Sequence, residues 1–326
     1  MTLTKTFPTD RAAGLPVADT RLLNTGMVEC NTAGVPRVGI LPAHYNALVT
    51  GTAGMAYSVA AFNAVTSRSG NGVEFVANDG DVSVATTAAP GANSRIDVIW
   101  VRSLFTTYAD GSSDPVFGVT QGTAAASPTK PAIPAGALEL ATAVVLSTTT
   151  QTSTAVITQT FPYTATEGGV VPVRNATELA AWAPADGALA WRIDTSQLLI
   201  YMANAAVPDW YQIGGKPAIS AITYTGIYAA GTPAARIVEH SGRISLEGLV
   251  TSSSATFVAG TAYTIGSVSA AKAPAADRTF PIYLNDAVGF ATVTSTGNIV
   301  FAALTGFTGI LRLSLAGMSW PNKNLQ

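Results

Sequence analysis

Along most of the chain apolar and polar residues alternate in short runs rich in Val, Ile and Thr, and Gly, Pro or Asn-Asp-Gly clusters separate the runs. Successive side chains of a strand point to opposite faces, so this period of two predicts a mainly β chain of short strands and turns. In "VEFVANDGDVSVATT", Val73, Phe75 and Ala77 alternate, Asn78-Asp79-Gly80 tolerates positive φ, and Val82 and Val84 resume the alternation, so the segment reads as a hairpin. Its "NDGD" cluster reads as a turn, because a calcium loop needs further ligands and a closing Glu at fixed positions. "YADGSSDP" (108–115) and "TSTGNIVF" (294–301) read as two more turns. "ALELATAVVLSTTTQTSTAVITQT" reads as a long hairpin of modest hydrophobicity.

Charge precedes the most apolar run. In "SRIDVIWV", Arg95, Asp97, Ile99 and Val101 share one strand face, while Ile96, Val98 and Trp100 share the other. Both faces turn apolar after Asp97, which predicts a central strand entering a core. Arg95 and Asp97 are expected at its mouth, about 7 Å apart on one side and within reach of each other. A register slip of one residue would carry both to the opposite face, so the pair reads as a device that fixes strand pairing. Arg95, Asp97 and Trp100 are therefore structural residues in this reading.

Breaks in composition divide the chain into three predicted domains. "ASPTKPAIPAG" (126–136) carries three prolines and is expected to run extended across the surface of the first domain. "TEGGVVPV" (166–173) and "GGKPA" (214–218) then separate residues 1–166, a β-sandwich-like domain, from 167–215 and from 216–326. In the middle unit Asn175 stands three residues before Glu178, a capping arrangement for a short helix "TELAAW" that Pro184 stops. Three alternating runs follow, "ALAWRI", "LLIYM" and "WYQIG", which predict a three-stranded meander. Trp182, Trp191, Tyr201, Trp210 and Tyr211 are expected to form the core of so small a unit rather than an aromatic platform for sugars. From residue 216 onward short strands return at the spacing of a sandwich or jelly roll.

Composition adds a constraint on assembly. Only 11% of the residues are charged, where about a quarter is usual, and 48% are hydrophobic. Such a surface would self-associate if left bare, so the chain is expected to form a permanent oligomer that covers it. A net charge of -2 with no Lys/Arg cluster makes nucleic acid and anionic membranes poor candidates as partners, and neither is expected. Cys30 is the only cysteine and cannot form an internal disulfide. The amino-terminal "MTLTKTFPTDRAAG" does not read as a secretory signal, and the uncharged stretch Tyr45 to Ser67 is too polar for a membrane span, so the chain is expected to be soluble.

An ordered set of segments carries a resemblance. "GVPRVGILPAHYNALVTGTAGMAYSV", "VEFVANDGDVSV", "SRIDVIWVR" and "VTQGTAAASPTKPAIPAGALELATAVV" together resemble the amino-terminal domain of tailed-phage minor tail and receptor-binding proteins. "VVPVRNATELAAW" followed by "DWYQIG" is similar to a small domain of phage tail fibres, and "GRISLEGLV" through "STGNIVF" to "LAGMSW" resembles the head domain of the same proteins. The resemblance implies a shoulder, neck and head in a homotrimer at the virion's tail tip. It further implies a shoulder docked to other baseplate proteins and a head that touches the host surface. No glycine-repeat or heptad shaft is present, which points to a short tip protein rather than a long fibre.

Candidate chemistry is sparse. His44 and His240 have no Cys, His or Asp neighbour at ligand spacing, so neither a metal nor a cofactor is expected. Ser127-Pro128-Thr129-Lys130 has the letters of a serine/lysine pair, but its prolines forbid the helix that pair requires. Asn175-Ala176-Thr177 is a formal glycosylation sequon better explained by helix capping. Paired carboxylates for sugar cleavage would have to come from Glu239, Glu247, Asp277 and Asp286, which read as solvated surface. The expected role is binding rather than catalysis, with a tail-associated glycan hydrolase and a purely structural baseplate or collar component as the alternatives. A saccharide site needs aromatic faces and bidentate polar groups, and "AKAPAADRTFPIYLNDAVG" offers Asp277, Arg278, Tyr283, Asn285 and Asp286. The competing reading of that stretch is that Phe280, Ile282 and Leu284 pack inward while Tyr283 merely faces out.

Overall fold

The computed structural model describes residues 15–31, 33–42, 47–68, 72–205, 208–284 and 287–323. The chain is mainly β, as the alternation predicts, with several antiparallel sheets and short helices. It divides into two compact units, Met1–Ala190 and Trp191–Gln326, and the division falls inside the strand Leu189–Arg192.

In the first unit the strand Ser94–Arg102 lies inside a four-stranded sheet, between Leu138–Leu146 and Val116–Gln121, with Val156–Gln159 beyond. Val98, Ile99 and Val101 are buried, so the run is covered on both faces, as a central strand must be. The expected hairpin of Leu138–Leu146 with Val156–Gln159 is present, Val144 lying opposite Val156. Trp100 lies opposite Gly118, and a Cβ on Gly118 would fall 2.2 Å from the indole ring. The missing side chain is what lets the ring lie flat across the neighbouring strand, where its Nε1 donates to Thr120 Oγ1 at 2.9 Å.

Arg95 and Asp97 sit deeper than a position at the strand's mouth implies. Asp97 is fully buried and Arg95 is 6% exposed. Arg95 Nε donates to Asp97 Oδ1 at 2.7 Å, and its terminal nitrogens donate to the carbonyls of Ala88 and Thr87. Asp97 Oδ2 accepts from Thr86 Oγ1 at 2.6 Å and from the Tyr57 hydroxyl at 3.0 Å. These partners compensate the desolvation that burying a carboxylate and a guanidinium entails. Burial, and then the Asp97 carboxylate, push the Tyr57 phenol above its usual range, so it stays protonated and donating.

The first unit also holds two three-stranded sheets, one of Gly39–Ile40, Phe62–Thr66 and Glu74–Asn78, the other of Val49–Gly51, Ala56–Val59 and Val82–Ala85. They correct the hairpin expected at "VEFVANDGDVSVATT". Glu74–Asn78 pairs with Phe62–Thr66, and Val82–Ala85 pairs with Ala56–Val59, so the Asp79-Gly80 turn carries the chain from one sheet to the other. The burial phase also differs, since Glu74 and Val76 are buried while Phe75 is 45% exposed. Glu74 is drawn inward by Arg21 Nε, by Thr66 Oγ1 and by the Arg68 amide. Arg21 stands on a helix, Val17–Thr25, which the alternation does not predict because its buried residue is this arginine rather than an apolar side chain.

The capped helix spans Ala176–Ala180, shorter than "TELAAW". Asn175 Oδ1 accepts from the Glu178 amide at 3.0 Å, as the cap requires. Glu178 reaches back one residue further than a capping box specifies: its Oε2 accepts from the Arg174 amide at 2.7 Å, and its Oε1 meets the Arg174 guanidinium at 3.2 Å. That guanidinium lies over the rings of Phe161 and Tyr163, at 4.5 and 4.7 Å from their centroids.

The second unit includes the hairpin of Gln197–Met202 with Asp209–Gly215, in which Tyr201 lies opposite Trp210 with ring centroids 5.5 Å apart. Trp182 and Tyr211 are buried, while Trp191, Tyr201 and Trp210 are half-buried. Beyond the hairpin a four-stranded sheet (Ala218–Ala221, Arg236–His240, Arg243–Glu247, Met318–Pro321) and an eight-stranded sheet share one core. Ile237, Ile244, Leu246 and Trp320 of the smaller sheet pack with Ile265, Ile282, Phe301 and Leu313 of the larger. The result is sandwich-like. The expected turn at Thr294-Ser295-Thr296-Gly297 joins Ala287–Val293 to Asn298–Ala303, and Gly297 takes φ +96°, a conformation that favours glycine.

Candidate functional site

The strand Arg278–Leu284 crosses the second unit with alternating burial, and this alternation decides which side chains can act together. Phe280 is half-buried, Ile282 and Leu284 are buried, and Arg278 shares their face at the strand's exposed start. Thr279, Pro281 and Tyr283 occupy the opposite face, where Tyr283 is 77% exposed. Arg278 and Tyr283, grouped in the sequence-based saccharide site, therefore point to opposite sides of one sheet. Asp277 is exposed and accepts from the Ser295 amide at 2.7 Å, which ties it to the neighbouring turn. Asn285 and Asp286 lie outside the described residues, as does His44.

Two surfaces result. On the outer face, Tyr283 lies opposite Val288 and Pro281 opposite Phe290, with Ala302 on the far side of Phe290. Val288 and Phe290 are 46% and 45% exposed, so these residues form a continuous apolar stretch open to solvent.

The second surface is a cleft of about 360 Å³ lined by Arg243, Arg278, Thr279, Phe280, Ser319, Trp320 and Pro321. Arg243 opens its strand directly after the tight turn Ser241-Gly242, both in positive φ, and lies opposite Pro321. Its Nη2 donates to Ser319 Oγ at 2.9 Å. Phe280 lies against Trp320 with ring centroids 6.4 Å apart, and Trp320 is anchored by its Nε1 donating to the Lys272 carbonyl at 2.9 Å. Arg243 and Arg278 are both exposed, and among the described residues neither has a carboxylate partner.

Two other cavities of the second unit do not bring two unpaired arginines together. A cavity of about 490 Å³ holds Arg192 and Lys216, but Arg192 is spent on Asp194 at 2.7 Å. A groove of about 400 Å³ beside Gly231, Thr232 and Leu249 is lined by small and aliphatic residues together with the single arginine Arg312. The sequence-based reading missed Arg243, Ser319 and Trp320 because it sought a site within one contiguous stretch. The available signal was an Arg placed directly after a Ser-Gly turn, together with a closing "MSW" strand.

Of the acids considered for sugar cleavage, Glu239 and Glu247 are held apart. Glu239 meets Lys272 Nζ at 3.4 Å and accepts from Asn322 Nδ2 at 2.7 Å, while Glu247 meets Arg236 at 2.8 Å. Glu239 lies opposite Ile244 and Glu247 opposite Arg236, so the two project from opposite faces of their sheet. Among the described residues no group of three or more His, Cys, Asp or Glu could hold a metal ion, and no helix is long and apolar enough to cross a membrane. No protein-family model matches the chain, and no curated protein does.

Proposed function

We propose that the chain is a structural and recognition protein of a phage tail tip, a homotrimer whose carboxy-terminal part attaches the virion to a host cell-surface glycan. In this reading residues 1–166 are a shoulder that docks to other baseplate proteins, 167–215 a neck and 216–326 a head. The observation that carries it is the open apolar face of Pro281, Tyr283, Val288 and Phe290 on a molecule with only 11% charged residues. A face of that kind is characteristic of protein-covered surface, and neighbouring copies are its simplest cover. The ordered resemblance to tail-tip proteins supplies the biological setting. The reading is non-enzymatic: Glu239 and Glu247 support the sheet through Lys272, Asn322 and Arg236 and do not face a common substrate.

The test is the mass of the purified chain in solution, followed by its binding to a panel of bacterial cells with and without their surface polysaccharide. A trimer at micromolar concentration that binds only polysaccharide-bearing cells is expected. A stable monomer, or a trimer that hydrolyses the polysaccharide, would overturn the reading.

A further inference from the structure

The cleft between Arg243 and Arg278 has a chemistry that narrows the ligand. The chain has 17 Lys and Arg residues, and most of those described are committed to carboxylates. Arg243 and Arg278 are not, yet strands distant in sequence bring them to one concavity with no acidic side chain in its lining. Two guanidiniums at one opening repel each other and attract an anion. Their planar forks match a carboxylate or phosphate group with paired hydrogen bonds. Ser319 adds a hydroxyl, and the half-buried Phe280 and Pro321 add an apolar wall. A sugar ring bearing an acidic substituent has complementary parts, an apolar face of C–H groups and a charged edge.

The geometry points to this cleft as a binding site for an anionic saccharide, with the acid group held between Arg243 and Arg278 and the ring against Phe280 and Pro321. The inference rests on the glycan-attachment reading and deepens it, because it names the class of glycan. It also relocates the site, retaining Arg278 of the sequence-based set and placing Tyr283 elsewhere.

The experiment uses the full chain and three immobilised polymers: a polyuronate, the same polyuronate after its carboxyls are reduced to alcohols, and a poly(glycerol phosphate). Binding to the intact polyuronate or to the phosphate polymer is expected, with the reduced polymer bound at least about tenfold more weakly than its parent if carboxylate is the recognised group. Preference between the two charged polymers separates sugar carboxylate from backbone phosphate as the source of the anion. Arg278→Gln and Arg243→Gln should each weaken the preferred interaction about tenfold and reduce its salt dependence. Arg312→Gln, on a strand outside the cleft, should leave it unchanged. Because both cleft residues are exposed, Arg278→Lys serves as a check on folding, retaining charge and salt dependence while losing the paired geometry. Saccharide or cell binding that ignores the Arg243 and Arg278 substitutions, or that is equal for neutral and charged polymers, overturns the cleft but leaves glycan attachment standing. Failure to bind any polymer and any cell overturns both.

Discussion

At the scale of single residues, the buried polar groups of the first unit carry the sharpest expectations. Asp97→Ala removes the carboxylate that pairs with the buried Arg95 guanidinium and also strands the Tyr57 hydroxyl, so it should destabilise the fold by about 3–5 kcal/mol in urea unfolding. Tyr57→Phe deletes one donor to that carboxylate and should cost about 1 kcal/mol. Asp110 makes a different prediction. Arg68 donates to both of its oxygens and the Phe105 amide adds a third bond, and the Arg68 guanidinium above all holds its carboxyl down at about 2. A depressed folded-state value means the stabilisation is complete above the unfolded carboxyl's value near about 4 and is lost as pH falls through about 2. Acid titration of folding should therefore be shallower for Asp110→Asn across that window. The Arg95–Asp97 contact was legible because residues two apart on a strand share a face. The Arg21–Glu74 and Arg68–Asp110 pairs were not, because each joins separate elements and shows no local periodicity.

At the scale of elements, legibility depends on whether the interaction that shapes a segment is local. The helix cap at Asn175 was readable from its spacing to Glu178, and Asn175→Ala should lower stability by about 1 kcal/mol in thermal unfolding. The strand pair Leu138–Leu146 with Val156–Gln159 was readable for the same reason, since adjacent alternating runs with a polar connection pair with one another. The segment around Asp79-Gly80 shows where such reasoning stops: a turn signal announces a reversal of the chain but not which strands it will then meet. The phase of Glu74–Asn78 was hidden too, because its inward face includes a charged residue satisfied from a distant helix. Gly118 illustrates a packing constraint of the same non-local kind. Its place under Trp100 is set by strand register alone, and Gly118→Val should displace the indole, seen as a red shift and broadening of the tryptophan emission.

At the scale of the whole molecule, the scarcity of charge and the open apolar sheet face are the two observations behind the proposed assembly. Low charge alone predicts association without saying where; the alternation of Arg278–Leu284 and Ala287–Val293 places Tyr283, Val288 and Phe290 side by side on one exposed face. The inward set of Ile282 and Leu284 was legible from that alternation. The cleft was not, because Arg243 and Ser319 are 76 positions apart and meet only through the pairing of two strands. If copies of the chain cover the apolar face, a single cation placed there must either be buried unpaired, at a cost of several kcal/mol, or force the copies apart. Phe290→Lys should therefore convert the expected trimer to monomer at concentrations where the parent stays assembled, as read by light scattering. Because Phe290 is already 45% exposed in the single chain, the monomer's own unfolding midpoint should barely move. Arg278→Gln, on the opposite face of the same sheet, should leave the mass unchanged while weakening anionic polymer binding, so the two substitutions separate assembly from recognition. A Phe290→Lys chain that keeps the parent's mass would place the contacts between copies on another surface.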